Sequence, residues 1–223
     1  MHFSLLVVGP DVEKQLERFE AGYDEDGENS HFDFYEIGGR WPKMLKLLPG
    51  REGVCGDYDE NAPERPGWVD QARKGDIDWA GLHAAAEQQA RAVWRKAREI
   101  TGGQLWLTFE TITAPIKDLK HTDRERWIEG MTLVRETYGN QPAVQKLRDA
   151  GYWDQIDMMA LDEEEFVSLC PGLVTFAYLL NGVWHEKPWT HWRTEDRPWH
   201  DEFAAMLNSL SGDALLTVVD YHG

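Results

Sequence analysis

Apolar runs at the two ends of the chain predict buried β-strands. Residues 2–8 are rich in aliphatic and β-branched side chains and stop at Gly9-Pro10. Residues 214–220 have the same character. Such short runs are typical of strands with both faces covered.

An alternating segment follows in the first quarter of the chain. Residues 32–37 alternate apolar and polar side chains, Gly38-Gly39 comes next, and residues 44–48 form another apolar run. Two strands separated by paired glycines predict a hairpin, with Pro42 placing its second strand at a sheet edge. Residues 49–67 contain several glycines and prolines and predict an irregular loop.

The middle of the chain has mostly helical periodicity. From Leu82 to Ile100 small and apolar residues recur every three or four positions, and Gly102-Gly103 ends this helix. Residues 104–111 alternate again and predict a strand. Residues 113–170 then predict short helices, which we expect to form an inserted helical layer within a single domain covering residues 1–223.

The last third returns to strands. Residues 173–180 and 183–185 flank Asn181-Gly182, a dipeptide typical of two-residue hairpin turns. An amphipathic helix around residues 203–210 precedes the final strand. About seven strands joined by hairpins and accompanied by helices predict an α+β fold with a mainly antiparallel sheet.

The net charge and the cysteine count restrict the partners and the cellular compartment that we expect. The 223 residues include 40 acidic and 23 basic side chains, which gives a formal charge of −17. This net charge repels phosphate backbones and anionic lipids, so we expect neither direct nucleic-acid binding nor membrane binding. Two cysteines and the lack of a long apolar segment predict a cytoplasmic protein without a disulfide framework.

Four segments together resemble a family of actinobacterial phage and prophage proteins. They are DFYEIGGRW at 33–41, DQARKGDID at 70–78, TFAYLLNGVWHE at 175–186 and LLTVVDYHG at 215–223, and the opening HFSLLVVG is also shared. The resemblance spans nearly the whole chain in the same order. It implies an accessory protein of a mobile element that binds a host component or counters host defence, and no catalytic residues can be carried over from it.

The clearest candidate ligand site is the segment around the paired glycines. Gly38 and Gly39 would expose backbone N–H groups to an oxyanion, and Arg40 would add positive charge. Tyr35 and Trp41 would supply aromatic faces for a small nucleotide-like ligand. The alternative is a tight turn with aromatic residues packed beneath it, and the segment is not a P-loop because no Gly-Lys-Ser/Thr follows.

Tryptophans and histidines concentrate between residues 184 and 202. We interpret the tryptophans as candidate anchors for a protein partner; they are Trp184, Trp189, Trp192 and Trp199. The histidines are weak candidates for metal ligands because their spacing matches no zinc signature; they are His185, His191 and His200.

Three functions remain open from the sequence. The first is a non-enzymatic accessory protein that binds a host protein or a small nucleotide-like ligand, and it needs no cofactor. The second is an acidic DNA mimic that occupies a host DNA-binding protein, suggested by acidic residues at 11–36 and 154–165. The third is a metal-assisted hydrolase that uses His185, His191 or His200. Signatures of nucleophilic catalysis are absent from the sequence, which favours the first function.

Overall fold

The computed structural model describes residues 1–23, 30–56, 64–153, 155–188 and 196–223. Contacts divide the chain into two compact units. The first unit comprises Met1–Ala85, Gly172–Trp189 and Pro198–Gly223, and the second comprises Ala86–Pro171 and Thr190–Arg197. The predicted helical layer at 113–170 lies within the second unit, which already begins at Ala86.

The first unit is built on a mixed sheet. The described residues form eight strands: β1 (His2–Val8), β2 (Phe34–Ile37), β3 (Leu45–Lys46), β4 (Trp68–Val69), β5 (Gln71–Arg73), β6 (Ala177–Leu180), β7 (Val183–Glu186) and β8 (Leu215–His222). Six of them form one sheet in the order β2-β8-β1-β6-β7, with β5 also paired to β8. Strands β3 and β4 form a separate pair.

The predicted antiparallel sheet is confirmed only in part. Strands β2, β5 and β1 all pair antiparallel with β8, and β6 pairs antiparallel with β7 across Asn181-Gly182. However, β1 and β6 are parallel, with Leu6 opposite Tyr178. A parallel neighbour requires a long crossover, and here most of the chain lies between these two strands.

The predicted hairpin at Gly38-Gly39 is wrong. Strand β2 pairs with β8, whereas β3 pairs with β4 in the second sheet. Gly38 and Gly39 both adopt a positive φ, and the chain turns away from the first sheet at this point. Local turn chemistry was identified correctly, but the partner of each strand is set by distant residues.

Alternating side chains of β1 and β8 supply the cores on both faces of the sheet. On one face, Leu6 and Val218 pack with Phe203 of helix α9 (Arg197–Ser209). On the other face, Leu5 and Val219 belong to a cluster that also contains residues of helix α1 (Val12–Leu16) and of the 3₁₀ helix Glu17–Phe19. Both strands are therefore covered on both sides, as the apolar runs predicted.

The second unit is helical. Its elements are the later part of α2 (Trp79–Thr101), then α3 (Phe109–Thr113), α4 (Leu119–Thr122), α5 (Arg124–Gly139), α6 (Pro142–Asp149), α7 (Ile156–Met159) and α8 (Glu163–Ser168). Its core includes Ala97, Val144 and Met159.

The predicted strand at 104–111 is wrong. Trp106 is buried, whereas its apolar neighbours Leu105 and Leu107 are exposed. The Trp106 indole N–H donates to the Ile156 carbonyl, and the Thr108 side chain caps α3 instead of continuing a strand. The polar and apolar residues of this segment therefore do not mark two faces of a strand.

Within the described residues, no helix combines the length and the apolar character needed to cross a bilayer.

Candidate functional site

Pairing of the two terminal strands brings four ionisable side chains together. His2 of β1 lies opposite His222 of β8, and Ser4 lies opposite Asp220. Because alternate residues of a strand share a face, His2, Asp220 and His222 lie on the same face of the sheet. Asp33, just before β2, joins them through its side chain. We call these four residues the histidine–aspartate cluster.

Each imidazole of the cluster is held by a carboxylate. The His2 Nδ1 lies 3.0 Å from Asp220 Oδ1, and the His222 Nδ1 lies 2.7 Å from Asp33 Oδ1. An ionised carboxylate can only accept, so both Nδ1 atoms donate. The two ring centroids are 5.1 Å apart, with planes tilted by 60°. The cluster therefore contains two neighbouring, oriented imidazoles.

The two carboxylates have different surroundings. Asp220 is 2% exposed, and its Oδ2 also accepts the Arg40 backbone N–H at 3.1 Å. Asp33 is exposed, and the hydrogen bond from His222 lowers the pKa of its carboxyl below the usual value. Asp220 consequently fixes its imidazole rigidly, while Asp33 holds its partner at the surface.

The predicted ligand site at 35–41 lies beside this cluster, but its amides are already used. The Gly38 N–H donates to the Val218 carbonyl at 2.9 Å, and the Gly39 N–H donates to Ile37 at 3.0 Å. The Trp41 N–H donates to Gly38, and the Arg40 N–H binds Asp220. Backbone carbonyls thus accept the two glycine N–H groups that were expected to bind an oxyanion, and Asp220 accepts the N–H that follows them.

The aromatic residues of that segment diverge. Tyr35 packs with Phe32 in the cluster on one face of the sheet, whereas Trp41 packs against the cluster on the opposite face. They therefore do not form a sandwich around the paired glycines. Arg40 is the exposed member of the segment, and its role in ligand binding stays a prediction.

The candidate partner-binding tryptophans are not a surface group. Trp199 is 4% exposed and donates its indole N–H to the Thr175 carbonyl, so it is a core residue and not an interface anchor. Trp184 is half-buried and stacks on His31 with 4.5 Å between ring centroids. Trp189 and Trp192 lie outside the described residues.

The candidate metal-binding histidines do not converge either. His185 stacks on Tyr178 with ring centroids 4.4 Å apart, and His200 is a half-buried residue of α9. His191 lies outside the described residues. In the described ranges, no group of three or more His, Cys, Asp or Glu side chains is arranged to hold a metal ion.

A surface groove in the first unit is lined by more basic than acidic side chains, whereas acidic residues outnumber basic ones in the chain as a whole. The volume of the groove is about 590 Å³. Its walls include three basic and two acidic side chains, an exposed thiol and an indole; they are Lys43, Arg51, Arg65, Glu52, Glu64, Cys55 and Trp68. The lining side chains thus carry one more positive than negative charge, and Arg51 is paired with Asp76 at 3.3 Å. We call this surface the Trp68 groove.

Arg65 and Trp68 form a cation–π pair in this groove. The Arg65 guanidinium carbon lies 3.9 Å from the centroid of the Trp68 ring, and its Nη1 donates to the Lys43 carbonyl at 3.2 Å. Trp68 packs against the core beneath. A cation is thus held over an anchored aromatic ring.

A buried carboxylate organises one side of the groove. Asp70 is fully buried and accepts the backbone N–H of Lys43 and of Gly56, at 2.5 and 2.9 Å. Burial raises the pKa of the Asp70 carboxyl, and these two hydrogen bonds partly offset the effect. The loop carrying Lys43 and the segment carrying Cys55 are therefore tied to the same strand connection.

In comparisons with known proteins, no family model matches this sequence, and no significant match was found among curated proteins or solved structures. The resemblance to phage proteins stays a prediction.

Arginines 91, 95 and 98 of α2 form a stripe in the second unit, and acidic partners occupy two of them. Arg91 binds Glu87 at 2.9 Å and Glu164 at 2.6 Å. Glu163 binds both Arg91 and Arg95. Two acids of the 154–165 segment are thus neutralised within the chain, which removes charge from the surface that a DNA mimic would need.

Sequence reasoning missed both the histidine–aspartate cluster and the Trp68 groove. His2 and Asp220 are separated by almost the whole chain, and Lys43, Arg51 and Arg65 follow no regular spacing. The available signal was the pair of polar residues, Asp220 and His222, interrupting the apolar run of the last strand. Polar side chains in an otherwise buried strand need partners, and they indicate a site.

Proposed function

We propose that this protein binds a small nucleotide-like ligand, with a planar base and an anionic phosphate, in the Trp68 groove. The observation that carries the proposal is the Arg65–Trp68 cation–π pair, with 3.9 Å between the guanidinium carbon and the ring centroid. A guanidinium plane accepts a nucleobase on its face and a phosphate at its edge. The groove volume of about 590 Å³ also suits a ligand of this size.

Local and overall charge together favour a small ligand over a polymer. The chain carries a formal charge of −17, which repels a long polyanion at a distance. A mononucleotide has few charges and responds mainly to the side chains it contacts, here Lys43 and Arg65, since Arg51 is paired with Asp76. In a phage setting, we propose that such binding sequesters a host nucleotide, with no chemical step in the groove.

The test is calorimetric titration of the full chain with adenosine 5′-monophosphate. We expect binding that is weaker for adenosine or inorganic phosphate alone, because the ring and the anion contribute together. Arg65→Ala should weaken binding about tenfold, which corresponds to about 1.4 kcal/mol.

A matched control separates this contact from the general loss of a positive charge. Arg73 is an exposed arginine of the same unit outside the groove, so Arg73→Ala should leave the dissociation constant within twofold. An equal effect of the two substitutions would contradict the proposal. Loss of binding in Arg40→Ala alone would instead locate the ligand at residues 35–41.

A further inference from the structure

The histidine–aspartate cluster presents two imidazoles whose remaining ring nitrogens are available. His2 and His222 each use Nδ1 to bind a carboxylate, at 3.0 and 2.7 Å. Among the described residues, neither Nε2 atom has a hydrogen-bond partner. The His2 side chain is 26% exposed and the His222 side chain 42% exposed, so solvent reaches both.

Two neighbouring imidazoles of this kind can act together in general acid–base catalysis, one as the base and the other as the acid. A carboxylate on Nδ1 fixes the tautomer of a neutral imidazole and leaves Nε2 as a base, and it also stabilises the protonated form. The ring centroids are 5.1 Å apart, so both imidazoles lie close enough to contact one small molecule. One ring accepts a proton while the other donates one.

Arg40 adds a preference for an anionic reacting group. Its backbone N–H binds the same Asp220 carboxylate that holds His2, so its exposed side chain begins next to the cluster. A guanidinium and a protonated imidazole are the side chains that best neutralise a phosphodiester. The overall charge of −17 again restricts the substrate to a short one.

We propose that the histidine–aspartate cluster cleaves a short ribonucleotide phosphodiester by general acid–base catalysis. One imidazole takes the proton from the ribose 2′-hydroxyl while the 2′-oxygen forms a bond to phosphorus. The bond from phosphorus to the 5′-oxygen breaks, and the other imidazole gives that oxygen a proton. The products are a 2′,3′-cyclic phosphate and a 5′-hydroxyl, so no metal, water or oxidant is consumed.

Charged groups around the rings set the pH dependence. They are Asp33, Asp220, Glu36 opposite Asp220 on β2, Arg40, and the N-terminal amine, which donates to the Gly223 carbonyl at 2.7 Å. Because one imidazole must be neutral and the other protonated, the rate should pass through a maximum with pH. This activity goes beyond the proposed binding function and does not depend on the Trp68 groove.

The experiment follows uridylyl-(3′→5′)-adenosine incubated with the full chain, with products separated by chromatography. We expect uridine 2′,3′-cyclic phosphate and adenosine, and no cleavage of the analogue lacking the 2′-hydroxyl. His2→Gln and His222→Gln should each reduce the rate about 100-fold or more. His121→Gln, at an exposed histidine of the second unit, should leave the rate unchanged.

Asp33→Asn distinguishes catalysis from structural support. Asp33 is a positioning residue with a 62% exposed side chain, so its loss should shift one limb of the pH–rate profile without lowering the melting temperature appreciably. If His2→Gln fails to fold, the more exposed His222→Gln still gives the decisive rate. No cyclic phosphate above the protein-free background, equal cleavage of the deoxy analogue, or an unchanged rate in His222→Gln would each overturn the proposal.

Discussion

Gly39 lies directly against Asp220, and this contact joins the paired glycines to the histidine–aspartate cluster. A Cβ atom on Gly39 would stand 2.7 Å from the Asp220 Oδ2 and closer still to its Cβ. Gly39 also has φ = 48°, a backbone conformation that residues with a Cβ atom rarely adopt. The glycine thus allows the Arg40 N–H to reach the carboxylate.

We therefore predict that Gly39→Ala is strongly destabilising. Two effects add, the positive φ and the collision with a buried carboxylate, and together they should cost about 2–4 kcal/mol of unfolding free energy. Urea denaturation of both proteins measures the difference. Gly50→Ala is the matched control, since Gly50 has φ = 75° and no atom within 4 Å of its added Cβ. Equal losses for the two variants would show that the contact with Asp220 contributes nothing.

Truncation of Trp199 should cost far more stability than truncation of Trp153. Trp199 is 4% exposed and stacks near Tyr178, so Trp199→Ala should reduce stability by about 3–5 kcal/mol. Trp153 is 67% exposed, and Trp153→Ala should change stability by about 0.5 kcal/mol or less. Thermal unfolding followed by circular dichroism compares them. A stable Trp199→Ala protein would return this residue to the set of candidate partner-binding anchors.

Tyr178 should ionise at an unusually high pH. Burial, followed by the hydrogen bond to Glu202 at 2.9 Å, raises the pKa of Tyr178 to about 12. A phenol pKa that is higher in the folded state stabilises the fold fully below the unfolded value of about 10. This contribution is lost as the pH rises from there towards the folded value of about 12.

The measurement is the tyrosinate absorbance of the wild type minus that of Tyr178→Phe. We expect the difference step near pH 12, and a lower midpoint in Glu202→Gln. Circular dichroism at each pH shows whether the chain is still folded where the step occurs. A step near the ordinary pH of about 10 in a folded protein would refute the prediction.

Some elements of the fold were predictable because their signals are local. The apolar runs at the two ends became β1 and β8, and Asn181-Gly182 became the β6–β7 turn. The helix from Leu82 to Ile100 was also identified, because its periodicity extends over several turns. Each of these depends on neighbours within the same element.

The wrong predictions arose where residue polarity did not follow burial, or where a strand pairs with a partner distant in the sequence. The predicted strand at 104–111 is wrong because Trp106 is buried between two exposed leucines, so polarity does not follow burial there. The Gly38-Gly39 turn was real, but β3 pairs with β4 and not with β2. Strand partners are fixed by the burial of the whole sheet, which local patterns do not encode.

By itself, the sequence determined the α+β class and the terminal strands, whereas the exclusion of long nucleic acids by its charge stays a prediction. Only the tertiary structure decided that His2 faces Asp220, that Arg40 shares that carboxylate, and that Arg65 covers Trp68. The physical reason is that strand register brings together residues from opposite ends of the chain. Hydrogen bonds and stacking then hold side chains whose positions in the sequence have no regular spacing.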